Sequence, residues 1–135
     1  MNVKKYLAYS IVCLVTWFHG SQAVEAQQNN GFFIISSLSG KCIDVDGAPG
    51  TVNGGRLQLF DCELSGFNPF NGSSTDQRWE FVGGGFIRNT LSGRCIDVDG
   101  APGTGNGAPL QLFDCESSGF NRNNGSRTDQ TWRLF

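Results

Sequence analysis

The side chains most able to do chemistry are four cysteines and a group of carboxylates, all recurring at fixed spacing. Cys42 and Cys62 enclose the same interval as Cys95 and Cys115, and each pair holds the same place in a repeated stretch. In an oxidising compartment this pattern argues for two disulfides, Cys42 to Cys62 and Cys95 to Cys115, although four cysteines allow three connectivities and sequence alone does not choose among them. Closing a loop of this size would stabilise the fold by roughly 3 kcal/mol through the unfolded chain. Zinc is a poor alternative, because the spacing is unlike a zinc knuckle and no histidine follows His19. Asp44, Asp61, Glu63 and Asp76 keep two-carboxylate glycoside hydrolysis formally open. Asp44-x-Asp46-Gly47 opens like a calcium loop, but the later acidic ligand and the remaining oxygen spacing are missing. No metal or cofactor is expected.

These residues belong to a unit written twice. The stretch from Gly40 returns from Gly93 with about three quarters of aligned positions identical, the mark of a fold assembled from equivalent supersecondary units. Whatever chemistry one copy carries, the chain carries in duplicate. The copies span residues 31–83 and 84–135.

Ahead of them, Lys4 and Lys5, the apolar run Leu7 to Phe18, and the small-residue sites ending at Ala23 or Ala26 read as a secretory signal over residues 1–26. An export segment of this kind implies a secreted protein with no membrane association once it is removed. Cleavage takes away Cys13, Trp17 and His19, so an odd cysteine count becomes even and no imidazole remains. Ser-His-Asp and Cys-His nucleophile systems are then excluded by inventory. From residue 27 onward eight Lys or Arg stand against eleven Asp or Glu, and the basic residues are scattered. Without a basic stripe or aromatics interleaved with cations, nucleic acid is not an expected partner.

A domain spanning residues 27–135 is of ordinary size, burying only about two thirds of its unfolded surface, so the disulfides matter to it. Short apolar or alternating runs read as strands, four to a copy: Phe32–Ser36, Cys42–Val45, Leu57–Phe60 and Trp79–Val82, then Phe86–Asn89, Cys95–Val98, Leu110–Phe113 and Trp132–Phe135. No run has apolar residues at helical spacing over three turns, and the glycine content argues against long helices. Asp46 to Gly50 and Asp99 to Gly103 are tight turns, and the Ser-, Gly- and Asn-rich segments 63–76 and 116–129 are surface loops. The fold class is all-β.

Ser39 to Val45, Leu57 to Cys62 and Gln77-Arg78-Trp79 resemble the repeat of ricin-type β-trefoil lectins, and Ser92 to Val98, Leu110 to Cys115 and Gln130-Thr131-Trp132 match it again. The resemblance covers both copies. It implies a β-trefoil with Trp79 and Trp132 in the core, where large aromatics fill a small barrel. It also implies a shallow carbohydrate pocket per copy. The first would use Asp44 as hydroxyl acceptor, Phe60 as stacking platform, Gln58 nearby, and Asp76 with Gln77 at the closing edge; the second would use Asp97, Gln111, Phe113, Asp129 and Gln130. Galactose-binding members of the family often carry Trp or Tyr at the platform and Asn at the positions of Asp76 and Asp129. The loop before Gln77 is longer than usual, able to build a pocket or obstruct it. Asp44 and Asp97 have a second reading, as strand-end residues bonding their own turn. Asn71-Gly72-Ser73 and Asn124-Gly125-Ser126 are formal glycosylation acceptors.

Two classes of function therefore compete: a non-catalytic carbohydrate-binding lectin, or a structural or protein-binding trefoil with inactive pockets. A closed trefoil needs three repeats and two are present, so the fold is incomplete: either the gene product is truncated, or chains associate as a homo-oligomer to share repeats and cover open sheet edges.

Overall fold

The computed structural model describes residues 31–100 and 102–135; the signal-like segment and its Cys13, Trp17 and His19 lie outside the described residues. Apolar and β-branched residues between glycine-rich turns form six strands of four residues each: β1 (Cys42–Val45), β2 (Leu57–Phe60), β3 (Trp79–Val82), β4 (Phe86–Asn89), β5 (Cys95–Val98) and β6 (Leu110–Phe113). No helix occurs among the described residues. The fold is all-β, in keeping with an incomplete trefoil.

The copies repeat one hairpin in one register. β1 pairs antiparallel with β2, setting Cys42 opposite Phe60 and Asp44 opposite Gln58; β5 and β6 set Cys95 opposite Phe113 and Asp97 opposite Gln111. A second type of hairpin joins the copies, β3 pairing with β4 across a glycine turn in which Gly84 and Gly85 take left-handed φ. β4 then meets β5 at Arg88 and Cys95, giving the sheet order β3-β4-β5-β6 beside the separate β1-β2 pair.

Two of the eight expected strands do not form. Phe32–Ser36 makes only isolated bridges, Phe32 to Trp79 and Ile35 to Cys42, and Trp132–Phe135 is held by a bridge from Thr131 to Phe86 and the bond from Trp132 N–H to the Gly85 carbonyl. A strand needs a ladder along its length. β3 gains that ladder from β4, and no segment among the described residues plays β4's part for Trp132–Phe135.

The core gathers Val45, Trp79, Ile87, Ile96 and Leu112, with Phe32, Ile34, Ile43, Leu57, Leu110 and Trp132 packed against it. Trp79 is fully buried, whereas Trp132 is only half-buried, so the expectation that both indoles lie in the core holds fully for the first alone. Both still donate Nε1–H to the carbonyl of the strand beneath, Ile43 at 3.3 Å and Ile96 at 3.2 Å. The disulfides are Cys42–Cys62 and Cys95–Cys115, each spanning 5.1 Å between Cα atoms. Copy-to-copy contact runs through Gly54 and Gly55, which exchange backbone bonds with Leu112, through Arg94, whose guanidinium reaches the Thr51 carbonyl and Asn53, and through Asn53, whose amide donates to Asp114.

Candidate functional site

At the end of β1 the chain turns through Asp46 to Gly50, and this turn, the β2 face and the long loop before β3 enclose a cavity of about 390 Å³. Asp44, Gln58 and Phe60 form its strand-borne wall, because residues of a paired hairpin in this register present alternate side chains to one face. Asp46, Gly47 and Ala48 form the turn side, and Asn68, Phe70 and Asn71 the loop side. The loop is itself ordered: Phe67 bridges to Ser74, Asn68 N–H donates to the Ser73 carbonyl at 2.8 Å, and the Asn68 and Asn71 side-chain oxygens accept the N–H groups of Phe70 and Ser73 at 2.9 and 2.8 Å. These Asx turns fix the tip without a core beneath it.

Asp44 is almost fully buried, and glutamine side chains hold its carboxylate. Gln58 Nε2–H donates to Oδ2 at 2.9 Å and Gln77 Nε2–H to Oδ1 at 3.0 Å. Gln77 is locked in turn, accepting from Glu63 N–H at 2.8 Å and donating to the Asp61 carbonyl at 2.9 Å. The second reading of Asp44, as a cap on its own turn, is not what these bonds describe. Asp76 caps that turn from a distance, accepting from Gly50 N–H at 2.7 Å and Val45 N–H at 3.4 Å. Gly50 must be glycine to come so close, since a Cβ there would sit 2.5 Å from Val45 Cγ1.

The second copy reproduces this arrangement. Gln111 and Gln130 donate to the Asp97 carboxylate at 2.8 and 2.9 Å, Gln130 accepts from Glu116 N–H at 2.9 Å, and Asp129 accepts from Gly103 N–H at 2.7 Å. Its cavity is smaller, about 190 Å³, lined by Asp97, Gly100, Gln111 and Phe113 with Asn121, Asn123 and Asn124 from the loop.

The first copy thus buries two carboxyls, Asp44 and Asp76, whereas in the second Asp97 is buried and Asp129 only half-buried. Burial pushes Asp76 up to about 7; the Gly50 N–H bond works against that rise, and the Asp44 charge adds to it. In the second copy burial raises Asp97, opposed by the Gln111 and Gln130 bonds and reinforced by the Asp129 charge.

Of the ten residues singled out by sequence, Asp44, Gln58 and Phe60 meet at one cavity and Asp97, Gln111 and Phe113 at the other. Asp76 and Gln77, with Asp129 and Gln130, stand behind them, bonded to the turn and to the acid. The loop residues and Asp46 were missed as wall residues. A signal for Asn68 and Asn71 was present, because the loop keeps Gly-Phe-Asn and Asn-Gly-Ser in both copies. Among the described residues no group of three or more acidic, cysteine or histidine side chains could hold a metal.

The family model described as ricin-type beta-trefoil lectin domain matches residues 31–135. No curated protein gives a significant match.

Proposed function

The chain belongs to the ricin-type β-trefoil lectin family, a family of carbohydrate-binding domains, and from that premise we propose that it is a secreted lectin module with one sugar pocket per copy and no catalysis. The observation that carries this reading is the same wall in both cavities: a carboxylate, a glutamine amide and a phenylalanine ring.

Such a wall suits a sugar, whose ring has hydroxyl edges and an apolar C–H face. Asp44 has lone pairs beyond the two taken by Gln58 and Gln77 and accepts from adjacent hydroxyls, at roughly 1.5–3 kcal/mol per charge-assisted bond. Phe60 covers the C–H face. Gln58 offers a further polar contact, while Gln77 aims the acid and Asp76 ties down the turn. Asp97, Gln111, Phe113, Gln130 and Asp129 repeat these roles. Binding without hydrolysis is supported by the position of the second carboxyl: Asp76 bonds the turn backbone behind Asp44 instead of facing it across a scissile bond. Secretion is supported by the two disulfides.

A glycan array probed with the chain and with the double variant Asp44→Ala, Asp97→Ala tests the reading. Single shallow sites should bind near millimolar, or about −4 kcal/mol, and the double variant should lose array signal while keeping its thermal transition. Full glycan binding by a folded double variant would overturn the pocket assignment, and an array blank for the parent chain would favour a structural or protein-binding role.

A further inference from the structure

The residues lining the first cavity recur unchanged in the second copy with one exception: Phe70 is replaced by Asn123. Phe70 is 80% exposed, so no packing within the chain accounts for its ring. Its backbone is nonetheless anchored, the N–H donating to the Asn68 side chain at 2.9 Å inside a loop closed by the bond from Gly72 N–H to the Asn68 carbonyl at 2.8 Å. Asn123 sits on the same turn, its N–H donating to Asn121 at 2.8 Å. The backbones of the two loop tips thus match, and the side chain alone changes from a broad apolar ring to a short amide. The cavity walled by the ring measures about 390 Å³, whereas Asn123 stands between two cavities of about 190 and 320 Å³ that share Phe113 and Asn121.

Resting on the carbohydrate reading, we propose that Phe70 is a specificity-determining residue, a second aromatic wall that makes the first pocket the site for a disaccharide unit, while the second pocket takes a single sugar ring. A first ring lies on Phe60 beside Asp44, and the next meets the Phe70 ring with its own C–H face. The preformed turn spares the backbone an ordering cost, and the exposed ring gives up only its own rotamer freedom on contact. An aromatic contact of this kind strengthens binding by about three- to tenfold. At the Asn123 position a second sugar ring meets only an amide that water serves as well.

The test is a titration of the ¹⁵N-labelled full chain with methyl β-galactoside and lactose, and with methyl β-glucoside and cellobiose. The side-chain amides of Asn68 and Asn71 report the first pocket, and those of Asn121 and Asn124 the second. The first pocket should bind a disaccharide about three- to tenfold more tightly than its monosaccharide, and the second should not discriminate. Phe70→Asn should abolish the preference, and Asn123→Phe should create it in the second pocket. Equal monosaccharide and disaccharide affinity at the first pocket, unaltered in Phe70→Asn, overturns the role of Phe70 and leaves carbohydrate binding standing. Silence at both pockets toward all four sugars overturns this proposal through the reading beneath it.

Discussion

The two copies share most of their residues yet live in different surroundings. Trp79 is sealed in the core while Trp132 is half-buried; Trp79 begins a strand laddered onto β4, and Trp132 begins a segment whose backbone is held by one bridge and one bond. Hydrogen bonds around Asp44 and Asp97 agree to within 0.1 Å. Near-identical sequence therefore reproduces what is built inside a copy, the hairpin, the disulfide and the locked acid. It does not reproduce what a neighbouring copy supplies.

Tryptophan truncation should break the copies apart most clearly. Trp79→Ala should cost about 3–5 kcal/mol through a core cavity, and Trp132→Ala distinctly less, since a half-buried ring leaves a groove that water fills. Urea unfolding of both variants checks this. Equal losses would show that the second indole is as deeply engaged as the first.

Glycine substitution should show sameness instead. A Cβ at Gly50 would lie 2.5 Å from Val45 Cγ1 and one at Gly103 2.4 Å from Val98 Cγ1, so each alanine variant should lose about 1–3 kcal/mol by overpacking. The same unfolding experiment should give similar losses. A large gap between them would mean that one turn yields more easily than its twin.

A further contrast lies in pH dependence. Asp76 has an ordinary value of 3.8 and is raised to about 7 in the folded chain. Between those values the native state binds more protons than the unfolded state, so this group makes stability fall as pH rises from 4 to 7 and level off above. Asp97 is raised too and acts in the same sense. Asp76→Asn, which keeps an acceptor for Gly50 N–H, should flatten the slope and be more stable than the parent at pH 8. Asp129→Asn should do the same through relief of Asp97. Melting temperatures from pH 4 to 8 decide it, and a slope unchanged in Asp76→Asn would remove that acid from the account.

Much of this was legible before any coordinates. Strand signals at Cys42–Val45, Leu57–Phe60, Trp79–Val82, Phe86–Asn89, Cys95–Val98 and Leu110–Phe113 coincide with the observed strands to the residue, because alternation and glycine punctuation are local properties. Phe32–Ser36 and Trp132–Phe135 carry similar local signals and do not form strands, since strand formation is settled by a partner. For the site, the family resemblance named Asp44, Gln58 and Phe60 together. Phe70 was not, as nothing in a loop of Ser, Gly and Asn says which way its tip folds.

By itself the sequence determined the duplicated unit, the positions of its strands through alternation and glycine punctuation, and the matched spacing of its cysteines, all of which are legible within one copy. Only the tertiary structure decided that Asp76 and Gln77 stand behind Asp44, that the long loop closes over the first cavity, and that the two tryptophans differ in burial. The reason is physical: spacing along a chain sets which neighbours an element offers, whereas burial and the pairing of charges depend on residues brought together from distant positions.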